Sequence, residues 1–311
     1  MAYSVAAPAL LPALLPREGL AAGNRVLELA RSAAFAAGPA LGGALLGWAG
    51  AAVAYALATA LAVLAAMLLA RLPEPASGPA GSSRGAPLRA LGEAAGFVLG
   101  HPLLRPILLT AVAFNLAWFL LMAVFVAWAL QGIGMTPAAV GLVLGLYGGG
   151  MVAGAMAAGP LGRLLPCGTL IALGPASAVL ASWLLLLAMA VPGANAPALA
   201  GTAFLLFGVG PVLWTIGTTT LRQAVTPLPM LGRVSALVLT ATFGARPVGA
   251  ALGAALAAWS DVEAVLWASA ACFAVQALVI ALSPVPRLRR LPDALPTKEA
   301  KKAAPEGAAS S

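Results

Sequence analysis

Charge is what this chain has least of. Charged residues make up 8% of its 311 positions, against roughly 25% in ordinary soluble domains. Residues 32–70, 106–162 and 164–221 hold no Asp, Glu, Lys, Arg or His. A soluble protein of this size needs a polar exterior, so a soluble globular fold is excluded. The two cysteines, Cys167 and Cys272, are far apart, and His101 is the single histidine. They supply no metal-ligand spacing and no disulfide framework. The sequence has no G-x-x-x-x-G-K-[ST] phosphate loop, no G-x-S-x-G, no H-E-x-x-H and no paired buried carboxylates, so nothing points to ATP hydrolysis or to an enzyme. No cofactor and no metal are expected.

What the chain has in abundance is apolar surface, with 62% hydrophobic residues and a mean hydropathy of +1.00. A helix crossing the hydrocarbon of a bilayer needs about 20 apolar residues. Each uncharged stretch is long enough for two crossings and a tight turn, so charges return only where a pair of crossings has come back to its starting side. The fold class is therefore all-α, a polytopic membrane helical bundle woven from hairpins. Gly, Pro and Asn punctuation divides it into spans at 24–48, 51–72, 103–130, 136–159, 167–191, 196–219, 233–258 and 262–283.

The turns inside the hairpins, 47–51, 131–137, 191–197 and 259–263, contain no Lys or Arg. Of the 17 basic residues, 16 fall on the opposite flank: Arg17, Arg25, Arg31, Arg71, Arg84, Arg89, Arg105, Arg163, Arg222, Arg233, Arg287, Arg289, Arg290, Lys298, Lys301 and Lys302. The positive-inside rule makes that flank cytoplasmic, in an inner cell membrane, with the carboxyl terminus inside. The net charge of +8 is thus a topology signal rather than a sign of nucleic-acid binding. Asp261 and Glu263 lie in an outer turn and are read as solvated.

Residues 1–16 are apolar, hold three prolines and are too short to cross. They read as the last turns of a helix whose start is missing. Residues 73–86 form a Pro/Gly/Ser-rich linker. Residues 87–100 follow as a short helix on the membrane surface, with Leu88, Leu91, Ala95 and Val98 on one stripe and Arg89 and Glu93 paired at i,i+4. The tail after Pro284 is basic, low in apolar content and expected to be disordered. A weak internal repeat appears at an offset of 208 residues, laying Arg25-Val26 on Arg233-Val234 and Pro39 on Pro247. Paired irregularities of this kind mark transporters built from structural repeats.

Gly38-Pro39-Ala40-Leu41-Gly42-Gly43 gives small-xxx-small spacing and a proline bend. It serves either ordinary helix packing or something more specific. G-P-x-x-G-G resembles the antiporter signature of the fifth helix in the major facilitator superfamily. The run 16–50 resembles the fourth-to-fifth loop and fifth helix of the branch containing the enterobactin exporter and macrolide-efflux proteins. HPLLRPILL (101–109) resembles its seventh-helix start, and LRQAVTPLPMLGRVSAL (221–237) its tenth-to-eleventh loop. GPLGRL (159–164) resembles a reduced form of the loop motif between helices eight and nine, with Gly162 at the acidic place and Arg163 as the one remaining basic residue. On this alignment helices one to three and most of four are absent. Residues 1–72 are then a remnant of the N-terminal bundle, 73–102 the linker, 103–283 a six-helix bundle and 284–311 the tail.

The resemblance implies proton-coupled efflux of a small amphiphilic molecule, of drug or siderophore type, by alternating access. Its partners are the bilayer, a small-molecule substrate and protons. It also implies that the chain is inactive alone if the missing helices are truly lost, and that Arg25, Arg163 and Arg233 belong to the cytoplasmic gating loops. The rival is a non-transporting membrane scaffold or regulatory partner.

Arg246, followed by Pro247, stands inside a span, where an unpaired cation costs about 2.5–3.5 kcal/mol on insertion scales. Two roles are open to it. It either holds backbone carbonyls freed by Pro247 or stands in the substrate path, attracting an anion or responding to a proton carrier. Asn115, Trp118, Tyr147, Trp214 and the run Thr215–Thr220 are also polar or amphipathic groups within spans. They are read either as interfacial and self-bonded groups or as part of that path. Asn115 has the strongest claim, since a mid-span amide needs a partner that its neighbours cannot supply. Glu28 and Arg31 read as a local ion pair worth tenths of a kcal/mol, and His101 as structural.

Overall fold

The computed structural model describes residues 11, 15–70, 87–191, 193 and 195–292. Among them there are helices and turns and no strand. Helix α1 (Leu20–Ala70) breaks at Gly50 (φ 80°, ψ 169°), a positive-φ conformation that costs glycine little. The break falls in the turn expected at 47–51. Next come α2 (Pro87–Gly100) and α3 (Leu104–Ala127), which continues into a π-helical turn at Trp128–Gly132. They are followed by α4 (Pro137–Leu164), α5 (Cys167–Ala190), α6 (Asn195–Val225), α7 (Leu228–Trp259) and α8 (Val262–Ala281).

Six of these helices are long and apolar enough to cross a membrane: Leu104–Gly132, Ala139–Leu164, Cys167–Ala190, Asn195–Val225, Leu228–Trp259 and Val262–Ala281. The span expected at 24–48 falls within α1, and the one expected at 51–72 follows it as far as Ala70, with an apolar but shorter stretch at Ala52–Leu68. Helices α4, α6 and α7 run past the expected limits at the basic end, because length beyond the hydrocarbon can continue as helix in water. Caps define the opposite end. Thr136 Oγ1 accepts from the Ala139 N–H at 3.2 Å ahead of α4, with Pro137 in the first helical position. Asp261 Oδ1 accepts from the Ala264 N–H at 2.7 Å ahead of α8.

Packing joins α3 to α7 and α8, α5 to α6 and α8, and α4 to α6, with α1 laid along α4 and α6. The neighbour order is therefore α7–α3–α8–α5–α6–α4, and its two ends, α4 and α7, are not packed on one another. Phe125, Phe204, Phe207 and Phe273 fill the centre and are fully buried. Two glycine pairs at i,i+4 let backbones touch. Gly150 and Gly154 of α4 face Leu205 and Val209 of α6, with Gly208 set between; Gly249 and Gly253 of α7 face Leu116 and Leu120 of α3. Without a hydrophobic drive between helices in lipid, such close contact is a main source of association.

Helix α2 buries Ala94 and Val98 against α3 and α7, so part of its apolar side meets protein. One expectation needs correction. Residues 284–292, expected in a disordered tail, are packed. Val285 is fully buried, and Leu288 O accepts from the Gly168 N–H at 2.9 Å. The local cause is Gly168, which leaves room for the Val285–Pro286 backbone. Residues 1–10, the linker 73–86 and residues 293–311 lie outside the described residues.

A Gly208→Val substitution would drive a side chain into the Tyr147 carbonyl and the Met151 amide. Overpacking of this kind costs about 1–3 kcal/mol. It should lower the thermal unfolding midpoint in detergent, while Gly232→Ala, at a position with open space around it, should not.

Candidate functional site in the cleft between α4 and α7

Arg246 and Asn115, the two unpaired polar groups that the sequence places in mid-span, meet each other. Nε of Arg246 donates to Asn115 Oδ1 at 3.0 Å, and Asn115 Nδ2 donates back to the Ala111 carbonyl at 2.9 Å. The guanidinium carbon lies 3.8 Å from the centroid of Phe243 and 5.4 Å from that of Phe119, which adds a cation–π attraction. Among the described residues no carboxylate stands within ion-pair distance of it. Its positive charge is stabilised by dipoles and ring faces rather than cancelled.

Across the cleft, Tyr147 of α4 stacks on Trp118 of α3 with ring centroids 5.0 Å apart. Trp118 also meets Phe114, Phe204 and Phe207, so one aromatic wall runs from the core to the cleft. The Tyr147 hydroxyl lies within electrostatic reach of Arg31, Glu28 and Arg246, and Arg31 within reach of Arg246. Helices α1, α3, α4 and α7 thus converge on one polar patch in otherwise apolar surroundings. A rise of 1.5 Å per residue puts Tyr147 roughly 15 Å beyond Pro137 and Arg31 roughly 17 Å beyond Leu20, so each lies about three turns inside its helix.

Glu28 is 6% exposed. Its carboxylate accepts from Arg31 Nε at 2.9 Å and from Arg31 Nη2. The pair is the local one that the sequence suggested, with the Glu28 carboxylate buried and the Arg31 side chain 58% exposed. One turn earlier, Asn24 Nδ2 donates to Thr220 Oγ1 at 3.0 Å and to Gln223 Oε1 at 2.6 Å, joining α1 to α6. Asn24, Glu28 and Arg31 are spaced i, i+4, i+7, a polar stripe on an apolar helix, and that periodicity was the signal available for all three. Leu29 continues the contact on Met151, Ala155, Val212 and Ile216.

The remaining candidates do not join the cleft. Trp214 packs at the α5 crossing over Gly174, beside the buried cluster of Ile171 and Leu221. Thr218 and Thr220 bond back to the carbonyls of Trp214 and Ile216. Arg25 lies against Gly159 at the base of α4, Arg233 reaches Glu93 at 3.2 Å and Arg163 is exposed in the last turn of α4. The backbone of Gly38, Pro39, Gly42 and Gly43 is helical within α1, and their surroundings lie outside the described residues. His101 Nδ1 accepts from the N–H groups of Leu103 and Leu104 at 3.2 and 3.3 Å, and burial pushes its pKa down. That is a structural use.

A solved structure, a bacterial homologue of the iron transporter ferroportin in an outward-facing state, shares the fold with a TM-score of 0.66 at 20% identity. The match covers 88% of this chain and 66% of that one, so this chain spans less than two thirds of that protein's length. None of the curated protein sequences matches. A family model described as transmembrane secretion effector matches residues 4–304. The chain is thus a polytopic membrane protein that belongs to the transmembrane secretion effector family of the major facilitator superfamily.

Proposed function

We propose that this chain is a secondary active exporter that moves a small amphiphilic molecule by alternating access, driven by proton antiport. Its basic flank faces the cytoplasm of a cell whose inner membrane it spans. The observation that carries this reading is the bonded pair of Arg246 and Asn115 inside the spans, with Tyr147 and Arg31 within electrostatic reach. A charge kept in lipid at such cost is a mark of a substrate or ion path. Residues 1–72 act as part of one wall and residues 103–283 as the other, with 73–102 joining them. The hydrogen bonds of Asn24 and the packing of Leu29 hold the walls together at the basic end. An apolar groove of about 400 Å³ lies between α4 and α6, near Met135, Leu146 and Gly201. It gives an amphiphile an apolar approach from the opposite end. Gly38, Pro39, Gly42 and Gly43 supply the bend that lets α1 follow the motion, and Arg25, Arg163 and Arg233 border the gate.

Proteoliposomes of the full chain should export amphiphilic probes only under a proton gradient. Arg246→Ala should reduce that flux at least tenfold, a barrier increase of about 1.4 kcal/mol, with membrane insertion unchanged. Undiminished flux would remove Arg246 from the path. Absence of gradient-dependent flux in the parent chain would favour the scaffold reading, or the inactivity that loss of the N-terminal helices implies.

Tags placed in the 191–197 turn and after residue 292 should report opposite compartments, the second one cytoplasmic. Reporting of both from one side would overturn the topology.

Asn24→Ala removes both bonds to α6, a loss of about 1–3 kcal/mol from the closed base. In a background without Cys167 and Cys272, a Leu29→Cys probe should then react faster with an impermeant maleimide applied from the basic side.

A further inference from the structure

We infer that the cleft between α4 and α7 binds an amphiphilic monoanion carrying an aromatic ring, an assignment that rests on reading the cleft as the substrate path. Three observations specify the ligand. The first is net charge. Arg31 is matched by the buried carboxylate of Glu28, whereas Arg246 bonds to the neutral amide of Asn115, lies over the rings of Phe243 and Phe119, and has no carboxylate partner among the described residues. Among those residues the patch therefore holds one uncompensated positive charge. A single negative group matches it, a cation is repelled, and a dianion leaves one charge unmet in a site short of water.

The second observation is the orientation of that charge. Asn115 occupies Nε, and Phe243 covers one face of the guanidinium at 3.8 Å. What remains is the edge formed by the two terminal nitrogens, which is the bidentate geometry that a planar carboxylate takes. A point acceptor such as a hydroxyl or carbonyl would use only half of that edge.

The third is the opposite wall. Trp118 and Tyr147, stacked at 5.0 Å, present an aromatic surface within electrostatic reach of the same cation. A ring attached to the carboxylate can lie along it in an offset or edge contact. Arg31 stands nearby on α1, with 58% of its side chain exposed, so the ligand's anionic end would lie between guanidinium groups from both walls. Glu28 holds Arg31, and an arriving carboxylate can compete for it. The charged and titratable groups facing the anion are then Arg246 on α7, Tyr147 on α4, and Arg31 and Glu28 on α1.

The test uses the full chain in lipid nanodiscs and three matched probes: 1-naphthoate, 1-naphthamide and 1-naphthylmethylammonium. Quenching of tryptophan fluorescence reports binding. Naphthoate should bind about tenfold or more tightly than the amide, because only the carboxylate meets the charged edge, and the ammonium should bind weakest. Arg246→Gln should abolish the difference between naphthoate and naphthamide, while Arg246→Lys should retain part of it. Equal affinities for the acid and the amide in the parent chain, tightest binding of the ammonium, no binding of any probe, or a naphthoate preference that survives in Arg246→Gln each overturn the assignment. The ranking in the parent chain needs no variant and stands even if Arg246→Gln fails to fold. Gradient-driven efflux of some probe with no preference for the acid refutes the anion site and leaves the transporter reading intact. Selective naphthoate binding with no flux of any probe does the reverse.

Discussion

Lipid offers no hydrogen bond, and the architecture of this chain follows from that constraint. Every backbone polar group in the hydrocarbon must be satisfied within its own helix, which is why the described residues hold helices and turns alone. The same rule governs the few side chains that cannot be apolar. Arg246 and Asn115 lie 131 positions apart in sequence and bond to each other at 3.0 Å. Asn24 reaches across to Thr220 and Gln223 under the same pressure. In water these groups would be worth little to one another. In hydrocarbon they have few alternatives, so they fix which helices must face inward.

Close packing supplies the rest of the geometry. Glycines at the α4–α6 and α3–α7 crossings bring backbones into contact, and these contacts hold two rigid pairs at opposite ends of the helix order. Helices α4 and α7 are not packed on one another, and their Tyr147 and Arg246 are both tied to α3, the first by stacking on Trp118 and the second by its bond to Asn115. Trp118 in turn joins the aromatic core that includes Phe204, Phe207 and Phe273. Polar satisfaction thus decides the contents of the cleft, and glycine crossings decide its position.

The site was partly legible in the sequence. Arg246 and Asn115 stand out as polar groups within spans, and the structure pairs them, although the Asn115 amide nitrogen is satisfied locally by the Ala111 carbonyl. Tyr147 and Trp118 could be selected only as amphipathic groups within spans. Their stacking depends on the relative rotation of α3 and α4, which local pattern does not encode. Trp214 had the same standing in sequence and packs instead over Gly174, since side chains one turn apart on a buried helix face different neighbours. Glu28 and Arg31 were visible as a pair, but burial of Glu28 depends on how α1 lies along α4 and α6.

The sequence alone determined that the chain spans a membrane, where it turns, and which flank carries the cations. Those features depend on charge and hydropathy summed over some 20 residues, and a linear pattern contains that sum. Only the tertiary structure decided that α2 rests on protein, that residues 284–292 fold beneath α5, and that a cation from α7, an amide from α3, a phenol from α4 and an ion pair from α1 share one cleft. Those outcomes depend on helix rotation and crossing, set by contacts between residues far apart in the chain, where sequence periodicity carries no register.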